Sequence, residues 1–223
     1  MGIPQLNRHA LTAFVLGALL LSNDGYADMV ATDWSGVDNR NAIGFLDGIQ
    51  VEATASGANI NVSSGAFASS TFVPPIGASA EAIGGVDWDS GDWLNLDLSQ
   101  STDSLYVYLE NFDLNSAATL TGIGATDIQM ISSDGFIDFT QTSASSADLV
   151  SLTSGFGGQG DAVFLLSGSV TSVQFNWTGG TQNNGVNYTI AKQSVPVPAT
   201  TGLLTFVVIV GLGSRRRRRT SVK

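Results

Sequence analysis

Along the middle of the chain, apolar and polar residues alternate one for one. Over residues 92–98 (DWLNLDL), Leu94, Leu96 and Leu98 fall on one side and Trp93, Asn95 and Asp97 on the other. Over residues 104–112 (SLYVYLENF), Leu105, Val107 and Leu109 alternate with Tyr106, Tyr108 and Glu110. A strand imposes this repeat of two, because successive side chains leave opposite faces of the pleat. The polar run 99–103 between the two segments predicts a hairpin-like connection. Further strands are predicted over 48–55, 59–62, 118–123, 127–131, 135–140, 162–166, 170–177 and 186–191, with Val173, Phe175 and Trp177 sharing a face. Turn formers punctuate them at Ser133-Asp134-Gly135, Gly179-Gly180 and Asn183-Asn184-Gly185. No stretch carries a sustained 3.6-residue repeat. A series of about ten short strands predicts an all-β fold, a single antiparallel β-sandwich of jelly-roll-like type.

Two stretches rich in Ser, Gly and Ala, 56–70 and 141–160, read as long surface loops. An N-terminal piece over about residues 28–80 that packs separately is the alternative organisation. Three segments look alike, DWSG at 33–36, DWDSG at 87–91 and NWTGG at 176–180. Their unequal spacing argues against true repeats, and each reads as a tryptophan that ends a strand before a tight turn.

Both ends of the chain break the alternation. Arg8 and His9 precede the apolar run LTAFVLGALLL at 11–21, and Gly25-Tyr26-Ala27 then supplies small residues at the −3 and −1 positions. That layout predicts a signal peptide over 1–27, cut between Ala27 and Asp28. The run is too short for a comfortable spanning helix, and an uncleaved N-terminal anchor is the alternative. At the other end, residues 199–214 carry no charge and reach about 24 Å as a helix, close to a bilayer core. Pro196 and Pro198 keep the preceding segment extended. The cluster Arg215, Arg216, Arg217, Arg218 and Arg219 then holds the far end on the cytoplasmic side. On hydropathy alone, a plain C-terminal anchor fits equally well.

The order of the three parts adds to this. The knuckle Val195-Pro196-Val197-Pro198, a short apolar transmembrane helix and an arginine cluster together resemble the PEP-CTERM sorting signal. Val197 stands where the usual signal has Glu. The resemblance covers about residues 194–219 and implies an exported protein of a Gram-negative bacterium that makes exopolysaccharide. It implies signal peptidase and a membrane-embedded exosortase as processing partners, the latter cutting near the proline motif. It further implies an inner-membrane intermediate, then residence at the cell surface or in the extracellular matrix of a biofilm. The predicted organisation is therefore a signal peptide (1–27), a β-sandwich domain (28–193) and a sorting signal (194–223).

Charge narrows what the body can do. The 223-residue chain has a formal charge of −10 and no cysteine. Residues 28–196 keep every acidic side chain except Asp24, and only Arg40 and Lys192 among the basic ones. Such a surface repels nucleic acid and anionic lipid. His9, the one histidine, leaves with the signal peptide, so the body lacks the parts of Ser-His-Asp and Cys-His sites and of ordinary zinc, copper or haem sites. There is no Walker or dinucleotide glycine motif. No catalytic residue is assigned. Carboxylates such as Glu52, Glu81 and Glu110 leave a carboxylate-only glycoside hydrolase as the one enzymatic reading, third in order.

Calcium is the candidate ligand. DWDSGD places Asp87, Asp89 and Asp92 on a Gly-containing loop before a strand, where carboxylates can converge on a hard cation. A second, looser cluster is Glu110-Asn111-Phe112-Asp113-Leu114-Asn115. Asp, Asn and Gly also simply make turns. Tyr106 and Tyr108, about 7 Å apart on one strand face, are a candidate platform for sugar rings, with Trp88 or Trp93 beside them. The sequons at Asn61, Asn176 and Asn187 are incidental in a bacterial host. The expected function is an exosortase-sorted structural or adhesive protein of the cell surface or exopolysaccharide, without catalysis. The alternative is a calcium-assisted carbohydrate-binding module.

Overall fold

Alternation over long stretches gives a body built of β-structure. The computed structural model describes residues 28–194, apart from 58, 68–70, 78, 86–87, 114, 153–158 and 183–184. The predicted signal peptide, with Ala27, lies outside them. So does the tail with Val195, Pro196, Val197, Pro198 and Arg215 to Arg219. Fourteen strands are seen among the described residues, and no helix. They are β1 (Met29–Ala31), β2 (Asp33–Asp38), β3 (Asn41–Leu46), β4 (Ile49–Ala55), β5 (Ile60–Ser64), β6 (Glu81–Gly85) and β7 (Trp88–Asp89). Then follow β8 (Trp93–Phe112), β9 (Ala117–Ser133), β10 (Ile137–Ser143), β11 (Ser146–Ser151), β12 (Gly160–Gly179), β13 (Thr181–Gln182) and β14 (Val186–Gln193). Twelve join one antiparallel sheet with the path β10-β11-β9-β12-β8-β14-β6-β5. β4, β3 and β2 branch from β8, β1 adds to β14, and β7 pairs with β13.

The predicted hairpin at 99–103 is not one. β8 runs through it as a single strand of 20 residues, and the breaks expected at 124–126 and 167–169 also lie inside β9 and β12. The polar residues stay extended because β12 pairs with both halves of β8, from Asn176↔Trp93 to Gly160↔Phe112. The strands bend instead, at register shifts around Ser167, Gly168 and Val170. Gly124 (φ +85°) and Gly168 (φ +116°) make the bend possible, since both hold left-handed backbone that favours glycine. They also cross closely. A Cβ on Gly168 would lie 2.7 Å from the Gly124 carbonyl oxygen and 2.8 Å from the Thr126 nitrogen, and one on Gly124 would overlap the Ser169 carbonyl.

Each bend lets a strand change neighbours. Residues 94–98 of β8 pair with β4, whereas 106–110 pair with β14. The main apolar cluster draws on both flanks. It holds Leu94, Leu96 and Leu98, Leu105, Val107 and Leu109, Val173, Phe175 and Trp177, as the alternation predicts. Phe175 lies 4.6 Å from Tyr188 of β14 between ring centres, and Trp177 lies 6.0 Å from it. Trp88 stacks on Trp177 at 4.3 Å. The three look-alike tryptophans, Trp34, Trp88 and Trp177, are all buried in this cluster, and Trp34 sits inside β2 rather than at its end.

The opposite face of the sheet carries a second apolar cluster. Tyr106, Tyr108, Val163, Ala82 and Ala191 are covered there by Phe67, Phe72 and Ile76. Residues 28–80 therefore do not pack as a separate piece: they supply β1 to β5 to the common sheet and the cover over its second face. The expected loop 141–160 contains a strand, β11, whose sequence SADLVS has little β-propensity and is held between β9 and β10.

The crossing of Gly124 and Gly168 sets the first prediction. Gly168→Ala should cost about 2–4 kcal/mol, from positive φ and backbone overlap. Gly36→Ala, which meets no atom within 4 Å, should stay within about 0.5 kcal/mol of the wild type. Urea unfolding of the two variants checks the contrast.

Candidate functional site

The DWDSGD loop folds as a tight turn closed by its own carboxylate. Asp92 Oδ2 accepts the Asp89 N–H at 2.9 Å, and the Asp92 N–H donates to the Asp89 carbonyl at 3.0 Å. The turn is pinned to β12 through Gly91 N–H to Trp177 O (2.8 Å) and Trp177 N–H to Asp92 O (2.9 Å). The Asp92 carboxylate also lies where a side chain on Gly57 would be. Asp87 lies outside the described residues. Among the described residues, no group of three or more acidic or histidine side chains is arranged to hold a metal. Asp92 thus has a turn-closing task, which accounts for one of the three aspartates without an ion.

The tyrosine platform is overturned by burial. Tyr106 is 9% exposed and Tyr108 fully buried, both under Phe67, Phe72 and Ile76. The Tyr108 hydroxyl donates to the Pro74 carbonyl at 2.6 Å, and burial, with the nearby Tyr106, holds it un-ionised far up the pH scale. Alternation gave the tyrosines a face of their own, but that face is covered by residues distant in sequence. Trp88 is buried as well, and Trp93 is partly exposed, outside both apolar clusters.

Beside that covered patch, on the same face, the register assembles a polar row that the sequence did not single out. Asn61 of β5 is opposite Gly84 of β6, which is opposite Asn187 of β14, which is opposite Glu110 of β8. Residues directly opposite share a face, so the four side-chain positions line up across four strands. The two carboxamides close over Gly84: a Cβ there would lie 2.7 Å from the side-chain oxygens of both Asn61 and Asn187. Asn187 Nδ2 donates to Glu110 at 2.7 Å. At the bulge between Gly160 and Ala162, Asp161 of β12 comes alongside. Its Oδ1 accepts the Asn111 N–H at 3.1 Å, while its own N–H donates to Asp134 Oδ2 at 3.0 Å.

Electrostatics make the two central carboxyls unusual. Burial pushes Glu110 up from the ordinary carboxylate range, the Asn187 hydrogen bond partly offsets this, and the charge of Asp161 adds to it. Asp161 is pushed up by burial, eased by the Asn111 N–H and raised again by Asp134. With two carboxamides in line, the row offers both donors and acceptors, which suits a hydroxyl-rich ligand. Of the looser cluster at 110–115, Glu110 joins the row and Asp113 turns away, accepting from Gln159 Nε2 at 3.2 Å. Glu52 is exposed on β4, and Glu81 accepts the Trp34 N–H at 2.6 Å. No spacing in the sequence announces the row, because its members meet only through strand register.

The described residues thus form an acidic all-β body on one large, bent antiparallel sheet, with a half-buried acid-amide row. No protein-family model, no curated protein and no solved structure matches the chain.

A pH dependence follows from the row. Glu110 and Asp161 bind protons more tightly folded than unfolded. Their stabilising contribution is fully present below the unfolded carboxylate range, about pH 4, and is lost as pH rises through their folded values. Glu110→Gln should therefore be more stable than the wild type at pH 7, with the gap closing towards pH 4. Urea midpoints across that range measure it, and a gap independent of pH would contradict it.

Proposed function

We propose that the chain is an exported, exosortase-sorted protein of the cell surface or exopolysaccharide matrix, with a structural or adhesive role and no chemistry of its own. The observation that carries this reading is the tail: a proline knuckle, an uncharged 16-residue segment and five arginines, in that order, following the last strand of the described residues. Positive-inside logic accounts for the arginines but not for Val195-Pro196-Val197-Pro198. The body between the two membrane signals is, in this proposal, a β-sandwich of jelly-roll-like kind. The contacts of Phe175 and Trp177 with Tyr188 across the core support that description. An acidic body with two cations suits a hydrated matrix, where like charge keeps chains apart. Among the described residues no helix is long and apolar enough to cross a membrane. In this reading the membrane segment is residues 199–214, which lie outside them.

The test is the intact mass of the protein recovered from its host, with surface and medium fractions kept apart. A species that begins at Asp28 and ends between Val195 and Pro198 is expected. A species that retains Arg215 to Arg219 would instead make this a membrane-anchored surface protein.

One observation favours a second reading, the calcium-assisted carbohydrate-binding module. With the tyrosines covered, its contact surface moves to Asn61, Asn187, Glu110 and Asp161, whose mixed donors and acceptors match sugar hydroxyls. Retardation on gels cast with the host's polysaccharide is expected to fall several-fold in Asn187→Ala and when calcium is chelated. Equal mobility in all lanes would remove this reading.

A further inference from the structure

The end of β14 is held differently from its middle. Residues 187–191 pair with β8, and 186–188 also pair with β6. Beyond Ala191 the pairing with β8 stops. Lys192 and Gln193 then have β1 as their strand partner among the described residues, in the register Ala31↔Ala191, Val30↔Lys192 and Met29↔Gln193. Hydrogen bonds close this short ladder at both ends. The Ser194 N–H donates to the Asp28 carbonyl at 2.8 Å, and both the N–H and the hydroxyl of Thr32 donate to the Ile190 carbonyl at 3.0 Å. Because bonded and non-bonded pairs alternate in an antiparallel ladder, Val30 and Lys192 form a bonded pair between them.

This ladder is short and its footing is incomplete. Met29 and Ala31 pack against the second apolar cluster, yet the same two residues border a cavity of about 300 Å³ lined also by Asp33, Ser79 and Glu81. The other tie is the ion pair of Lys192 with Asp47 at 2.7 Å, at the β3–β4 turn. Its side chains are partly exposed, and such pairs are worth little. A three-residue edge strand over a cavity is among the first parts of a fold to open.

We propose that β1 is a latch that fixes where the C-terminal segment can be cut. Peptidases need an extended, unpaired stretch of chain. With the latch shut, pairing runs to Ser194, and residues 192–194 are withheld from cleavage. With it open, residues 192–194 lose their partner strand and trimming proceeds to Ala191, where β8 takes over. The latch is formed by the first residues after the predicted signal-peptide cut, and Asp28 and Ser194, the described residues nearest the two candidate processing junctions, share a hydrogen bond. The latch does not depend on which peptidase removes the tail.

The test uses the full chain in detergent micelles, exposed to a broad-specificity endopeptidase, with the C-terminus of the surviving core read by intact mass. The wild type should stop between residues 194 and 197. Val30→Pro, which removes a ladder donor, should stop about three residues earlier, near Ala191. Amide exchange at Lys192 and Ser194 should be roughly fivefold to tenfold faster in Thr32→Val, which deletes one hydrogen bond to Ile190. Exchange at Leu105, Val107 and Leu109 should not change. The exchange readout decides if Val30→Pro fails to fold. Identical core ends in wild type and Val30→Pro, or identical exchange at Lys192 and Ser194 in Thr32→Val, would overturn the latch. Neither readout involves the host's enzyme, so a tail retained in the host would count against the sorting reading and leave the latch standing.

Discussion

The close crossing of two backbones at Gly124 and Gly168 governs the rest of the fold. Three long strands must bend together there, and a bend shared by neighbouring strands needs residues that accept positive φ and tolerate contact with a facing peptide. β8 takes β4 on one stretch and β14 on the other, and because the strands bend, side chains from both stretches meet in one apolar cluster. The stacked pair of Trp88 and Trp177 and the contacts of Phe175 with Tyr188 follow from that meeting.

The same bends explain what could be read in the sequence and what could not. The buried face was legible wherever the alternation was clean: Leu94, Leu96, Leu98, Leu105, Val107, Leu109, Val173, Phe175 and Trp177 all face the core. Connections were misread, because SQSTD at 99–103 and the glycines at 124 and 168 have the composition of turns yet serve as bulges within strands. The short-range signal is the same in both cases, and only the pairing of β12 along both halves of β8 decides between them. The tyrosine error has another origin. Alternation shows that a side chain leaves the main core but not whether a distant segment covers it, as Phe67 and Phe72 cover Tyr106 and Tyr108.

The polar row shows a limit of another kind. Asn61, Gly84, Asn187, Glu110 and Asp161 lie far apart in the chain, and no motif spacing links them. The two asparagines match only sequons, a pattern unrelated to their meeting over Gly84. Register determines such a site, and register follows from the turns and bulges that composition alone misplaces. The bulge at Asp161 illustrates this: it lies between two register pairs of β8 and β12 and brings the carboxylate beside Glu110.

The scarcity of cations gives these observations a common cause. In the body, Arg40 donates to the Gly57 carbonyl at 3.1 Å and Lys192 pairs with Asp47, so each positive charge ties down a chain turn. Most carboxylates must be satisfied by neutral donors instead. Asp134 takes the N–H groups of Phe136 and Asp161, Glu110 takes the Asn187 amide, and Asp127 takes Gln129 and Gln141, which hold it below the usual carboxylate range. Neutral donors stabilise a carboxylate locally but leave its charge uncancelled, so the field of the body stays negative at long range. Where two such carboxylates are also half-buried, as in the row, burial and their mutual charge raise both above the ordinary carboxylate range. An acidic surface, a pair of carboxyls raised above their ordinary range and a lone lysine at the latch are thus three results of one compositional choice.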